Sequence, residues 1–207
     1  LDEADFAADE SVIALDLASK IDIAAKVNLY CRKIDGKDHY YVFPSFYLPR
    51  AAIEEERHPM YRGWEMQGDL IATAGETIDF AVIEDEIRLE TPGRNISAVV
   101  ADPWQANYLI KNLQRDNFPA EDYRQTVGNM SEATKTLDAL MREQRIHHPG
   151  NAVLNWMIGN VVGHFDAKDN VYPRKELPAN KIDGAVALIM GIGWFVMNKE
   201  QQVASPW

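Results

Sequence analysis

A carboxylate stands inside an apolar, β-branched run: Ser11-Val-Ile-Ala-Leu-Asp-Leu-Ala-Ser-Lys-Ile-Asp22. Burying an unpaired charge costs several kcal/mol, so any fold that takes this segment inward must compensate Asp16. As a strand, with its period of two, the segment puts Val12, Ala14 and Asp16 on one face and Ile13, Leu15 and Leu17 on the other. The small neighbours of Asp16 leave room for a cation. An aspartate at a strand end, bonded to a nearby turn, satisfies the same pattern, so other parts of the chain must separate the two readings.

Residues 1–10 are acidic and lack periodicity, as expected for the end of a linker from an upstream domain. Asp2-Glu-Ala-Asp5 mimics a helicase motif, but it does not end an apolar strand. No G-x-x-x-x-G-K-[ST] phosphate loop occurs, so no ATPase is encoded in these residues. Strand-like runs then follow at 11–17, 23–32 and 39–48, the last two separated by the turn-forming stretch 33–38, which predicts an antiparallel meander. Residues 50–58 read as a short charged helix and 59–77 as a glycine-containing loop with a short strand near 69–72. Asp79 is placed to cap a helix running to about Glu90, with Glu84-Asp-Glu86 on a solvated face.

At Asn95 the pattern changes. Ile96-Ser-Ala-Val-Val-Ala-Asp102 reads as a buried strand ending in an aspartate, and Pro103 opens a helix to roughly Arg115. A further strand is expected at 123–127 and a helix at 131–145, with Ser131 and Thr134 as candidate caps. Residues 151–160 read as a helix, and 161–165 with 171–172 as a hairpin around the turn 166–170. The final helix is expected to start near Asn180, which as cap puts Asp183 in the third helical position; its nearly uniform apolarity places it inside the fold. A meander followed by alternating elements predicts one mixed α/β sheet with helices on both faces, spanning residues 11–199, and a tail at 200–207.

The net charge of −11 over 207 residues argues against a protein that holds nucleic acid by its own field. The single cysteine, Cys31, excludes an intrachain disulfide and a cysteine-rich zinc site, which fits a reducing cytoplasm. The longest apolar run, residues 184–197, is 14 residues and too short for a bilayer. His147-His148 reads as part of a solvated loop rather than a metal site, because neighbouring histidines point differently and no matching ligand is close in sequence.

Three aspartates then stand out against apolar walls: Asp16 in the first strand, Asp102 at a strand end and Asp183 at the start of a buried helix. Hard divalent cations take such oxygen ligands, and two ions roughly 4 Å apart support in-line phosphoryl displacement. Each aspartate also has a plain local role, Asp102 as an Asp-Pro cap and Asp183 as a first-turn acid. An acid on the first strand, the fourth strand and the last helix of this element order is the ribonuclease-H-like arrangement.

The segments Ala14-Leu-Asp-Leu-Ala-Ser19 with Asp22, Ala101-Asp-Pro-Trp-Gln-Ala106, residues 127–137, Gly150-Asn-Ala-Val-Leu-Asn-Trp-Met157 and Lys181-Ile-Asp-Gly-Ala-Val-Ala-Leu-Ile-Met190 resemble the C-terminal nuclease domain of the large terminase subunit of tailed bacteriophages. The resemblance implies a metal-dependent endonuclease that cuts concatemeric double-stranded viral DNA during packaging in the host cytoplasm. Asp16, Asp102 and Asp183 match its metal-binding acids, and two divalent cations, Mg²⁺ or Mn²⁺, are its cofactors. Asp22 matches a further acid of some relatives, or starts the second strand as a turn residue. The implied partners are DNA, bound weakly by this chain alone, the small terminase subunit, the portal protein and an N-terminal packaging ATPase. Two alternatives remain open: a non-catalytic module that docks to the motor and positions DNA, and a nuclease of the same fold acting on hybrid or branched substrates.

Overall fold

The computed structural model describes residues 1–17, 21–55 and 58–204. Residues 18–20 of the motif around Asp16 and 205–207 of the expected tail lie outside them. The meander is present as β1 (Glu10–Asp16), β2 (Ala24–Ile34) and β3 (Lys37–Pro49), antiparallel throughout. Its turn is tighter than the sequence pattern suggested. Asp35 and Gly36 alone reverse the chain, both with positive φ (50° and 79°), the geometry whose twist matches flanking strands, so β-pairing extends through Ile34 and Lys37.

After β3 come α1 (Arg50–Glu54), α2 (Pro59–Gln67), β4 (Ile71–Thr73) and α3 (Phe80–Glu90), the last capped by Asp79. Helix α2 replaces the expected loop. Pro59 sits in its first turn, where a missing N–H is harmless, and Gly68 ends it at φ 82°. Then follow β5 (Ile96–Ala101), α4 (Pro103–Arg115), β6 (Ala120–Asp122), α5 (Val127–Arg142), β7 (Ile146–His147), α6 (Ala152–Gly159), the hairpin β8 (Val161–Phe165) with β9 (Val171–Lys175), and α7 (Asp183–Ala204). The strand expected at 123–127 is displaced to β6, and α5 starts earlier than expected because Thr126, not Ser131, caps it. Ser131 is buried, its hydroxyl accepting the Val171 N–H at 3.0 Å and so fastening the hairpin to α5.

The main sheet runs β4-β3-β2-β1-β5-β6, with β7 beside β3. β1 pairs antiparallel with β2 and parallel with β5, so the fold is the mixed, ribonuclease-H-like sheet that the element order implied. The strand alternation holds. Val12 and Ala14 pack with Ala187, Leu188 and Met190 of α7 and with α5, whereas Ile13, Leu15 and Leu17 pack with Ile83 and Ile87 of α3 and Leu109, Ile110 and Leu113 of α4. The space above Ala14 is filled by α7, which can approach because Gly191 lacks a side chain: a Cβ there would lie 3.0 Å from Leu29 and 3.5 Å from Ala14.

The α3 face holds a polar network where a solvated stripe was expected. Lys26 of β2, fully buried, pairs with Glu86 at 2.7 Å and Glu90 at 2.8 Å, and Tyr47 donates to Glu86. Glu84 is buried and pairs with Arg88 at 2.5 Å. Glu86 and Glu90 turn inward to meet Lys26, whose buried ammonium needs carboxylate partners, whereas Glu84 meets Arg88 and Asn112, and Asp85 stays exposed. Residues 1–10 lie on the same body: Phe6 is buried against Tyr30, Tyr41 and Phe43, and Glu3 accepts from Asn28, Tyr30 and Arg94. Among the described residues no helix is long and apolar enough to cross a membrane.

Candidate metal centre

Parallel pairing sets Leu15 of β1 beside Ala101 of β5, so the next residues, Asp16 and Asp102, emerge as neighbours at the carboxyl edge of the sheet. Asp22, just before the antiparallel β2, and Asp183, at the start of α7, reach that same edge. It is also where helices α4 and α7 begin, and the positive ends of their dipoles favour anionic groups.

Asp16 accepts a hydrogen bond at Oδ1 from Gln125 Nε2, 2.9 Å away. Burial, and next the charge of Asp183, push its carboxyl up to about 7; the Gln125 bond opposes the shift, and Asp102 and Asp22 add to it. Asp102 caps α4, Oδ1 accepting from the Trp104 N–H and Oδ2 from the Gln125 N–H, each at 2.8 Å. The Asp-Pro cap and a place among the acids therefore coexist in one side chain. Ile182 carbonyl accepts from the Val186 N–H at 2.8 Å, so Ile182, not Asn180, caps α7 and Asp183 is its first residue. Burial and then the charge of Asp22 push the Asp183 carboxyl up to about 6, opposed by its own backbone N–H, Lys181 and Lys175. Asp22 accepts the Ile23 N–H at 2.9 Å and pairs with Lys181 at 2.5 Å, combining the strand-start role with proximity to Asp183.

Gly184 explains how α7 brings Asp183 in. A side chain there would place its Cβ 2.6 Å from the Phe46 ring and 3.2 Å from Met157 sulfur, so only glycine lets the helix start this close to the sheet. Asp16 and Asp102, with Trp104, Gln105, Gln125 and Tyr172, line a cleft of about 420 Å³ open to solvent. The indole of Trp104 is 89% exposed at its rim.

Among the described residues no group of three or more His, Cys, Asp or Glu side chains is gathered tightly enough to hold a metal ion. Asp16, Asp102 and Asp22 are each turned toward protein donors. The donor set nevertheless suits a hard divalent cation: all ligand atoms are carboxylate oxygens, and two of the acids carry charge that burial and their neighbours disfavour. The tandem histidines take no part. His147 lies in β7, its ring stacked on His39 and Tyr41 with Nε2 3.0 Å from His39 Nδ1.

Gln125, Tyr172 and Lys181 escaped the sequence reading. Gln125 had one usable signal, since residues just past the carboxyl end of a parallel strand line the crevice of such sheets, but β6 was expected to start three residues too late, at 123.

The family described as the terminase large subunit, endonuclease domain, matches residues 1–199. Protein YmfN of Escherichia coli (strain K12) is 36% identical over 204 residues, 94% of this chain and 45% of that protein. The terminase large subunit of Enterobacteria phage HK97 is 29% identical over 185 residues, 86% of this chain and 36% of that protein. The chain thus spans less than half the length of these curated relatives. The crystal structure of the HK97 large terminase aligns with a TM-score of 0.79 at 27% identity, over 90% of this chain and 39% of that one. The large terminase nuclease of thermophilic phage G20c, crystallised with bound magnesium, aligns with a TM-score of 0.54 at 14% identity, over 89% and 80%, a likeness of fold.

Proposed function

The chain belongs to the family of terminase large-subunit endonuclease domains, and from that premise we propose that it hydrolyses phosphodiester bonds of double-stranded viral DNA during genome packaging in the host cytoplasm. Asp16, Asp102 and Asp183 are the proposed ligands of two divalent cations, Mg²⁺ or Mn²⁺, with Asp22 as an accessory acid. The observation that carries this reading is their convergence at one sheet edge, where burial and mutual repulsion disfavour the ionised forms of Asp16 and Asp183, a penalty that a bound cation would offset. When bound, the ions supply the Lewis-acid and water-activating chemistry of phosphodiester hydrolysis.

The chain's own residues do the positioning. Gln125 donates to Asp16 and Asp102, Lys181 pairs with Asp22 near Asp183, and the N-termini of α4 and α7 favour negative charge at the cleft. Lys175 near Asp183 and Arg174 near Tyr172 supply local positive charge for a phosphate backbone in a chain of net charge −11. Residues 1–199 form the proposed nuclease unit, since residues 1–10 pack on its body instead of forming a separate linker and α7 carries the chain on as helix to Ala204 where a tail from 200 was expected; the packaging ATPase of the full-length protein is a further proposed partner. The small terminase subunit and the portal protein are the proposed partners in the motor.

Plasmid DNA incubated with this chain should be cut in Mn²⁺ or Mg²⁺, and not in EDTA or after Asp16→Ala. Intact plasmid with well-folded protein at high concentration in both metals refutes cleavage by this chain. The open spacing of the acids favours a second reading, a module that docks to the motor and positions DNA without cutting it. That reading expects Asp16→Ala and Asp183→Ala to preserve packaging by the complete motor, and a comparison of duplex, hybrid and branched substrates fixes the substrate class.

A further inference from the structure

Gln125 lies between β6 and α5, one residue before the Thr126 cap, and both its backbone and its side chain are engaged at the carboxylate edge. Its N–H donates to Asp102 Oδ2 at 2.8 Å, and its Nε2 donates to Asp16 Oδ1 at 2.9 Å and lies 3.8 Å from Met190 sulfur. Its carbonyl accepts from the Tyr172 hydroxyl at 3.3 Å. One residue therefore ties together the ends of two neighbouring parallel strands and the hairpin β8–β9. Resting on the metal-dependent reading above, we propose that Gln125 is the positioning residue of the metal centre, setting the orientation of both Asp16 and Asp102 from a single point.

The physical reason lies in the carboxylate torsion, which is broad and roughly two-fold, so a strand-end aspartate rotates unless a donor fixes one oxygen. The Gln125 amide engages only Oδ1 of Asp16, and Oδ2 has no hydrogen-bond donor among the described residues. The two contacts are also separable. The bond to Asp102 comes from the backbone and survives any side-chain change, whereas the bond to Asp16 is lost with the amide. The Tyr172 hydroxyl holds the Gln125 carbonyl, so the hairpin reaches the acids through this residue.

Mn²⁺ titrated calorimetrically into the wild type, Gln125→Met and Gln125→Asn tests the proposal. Methionine keeps the length and the packing against Met190 but has no donor; asparagine keeps the amide but is one methylene short. Both variants should bind Mn²⁺ about 10- to 100-fold more weakly, the usual cost of losing a group that orients a metal ligand, while circular dichroism stays native. A purely structural role for Gln125 predicts a lower apo melting temperature with an unchanged Mn²⁺ dissociation constant, and that result overturns the proposal. Tighter binding overturns it too, because the amide would then compete with the ion. Should Gln125→Met not fold, the asparagine variant decides in the same way. A wild type that takes up no Mn²⁺ refutes the metal-dependent reading itself, whereas a binding wild type with unaffected variants refutes only the role of Gln125.

Discussion

Replacing Asp16 by asparagine in the metal-free protein should raise stability, by an amount that depends on pH. The carboxyl midpoint moves from 3.8 to about 7 on folding. At ~1.4 kcal/mol per pH unit, the ionised folded state is about 4 kcal/mol less stable, relative to the unfolded chain, than the protonated one. Asp16 is only partly buried, so solvent screens part of this and about 2–4 kcal/mol is expected. The sign follows from the direction of the shift. A carboxyl raised by folding binds its proton more tightly in the native state, so wild-type stability falls as pH rises from about 4 to about 7 and is level above that. Asparagine carries no charge at any of these values. The gain of Asp16→Asn should be near zero at pH 4 and full at pH 8, about 5–12 °C in melting temperature for a domain of this size. Calorimetric melts of both proteins in EDTA at pH 4, 6 and 8 measure it. A variant that melts no higher than wild type at pH 8, or a difference of the same size at pH 4, refutes the account of Asp16 as an uncompensated buried charge. Mg²⁺ should then stabilise the wild type and leave the variant nearly unmoved, because a ligand stabilises only the state that binds it.

Asp102→Asn should behave oppositely without metal: both Asp102 oxygens accept backbone N–H groups, so an amide sets a donor against a donor and lowers stability by about 1–2 kcal/mol, read by urea unfolding, while cleavage is lost. Simple relief of repulsion among clustered acids predicts a rise instead, and a rise would show that these contacts are weak. Lys26→Met should destabilise by about 3 kcal/mol by stranding Glu86 and Glu90, and adding Glu86→Gln should restore part of the loss in a double-mutant cycle. Gly184→Ala should cost about 1–3 kcal/mol through overlap with Phe46 and weaken Mn²⁺ binding by displacing Asp183; unchanged melting and affinity would refute the close approach of α7.

The fold was legible in local pattern because its decisive elements announce themselves over a few residues. Alternation along residues 11–17 set the two faces of β1, the turn-forming stretch 33–38 marked the hairpin, and Asp102-Pro103 marked the passage from strand to helix. Helix α2 was missed although Pro59 and Gly68 bracket it, since both residues also signal loops and only the packing of Tyr61 and Trp64 on the core decides for a helix. The acids show the same division. That Asp16 lies in the first strand, Asp102 at a strand end and Asp183 in the first turn of the last helix follows from the sequence, as does the excess of negative charge. That Asp16 and Asp102 are neighbours depends on the parallel register of β1 and β5, and the nearness of Asp183 on Gly184 admitting α7 against Phe46. Gln125 meets Asp16 across 109 positions of chain, and Lys26 finds Glu86 across 60. Periodicity and capping act within a turn or a pleat, so the sequence alone determined which face each side chain takes; which groups share a site was decided by strand register and helix approach, which exist only once the chain has closed on itself.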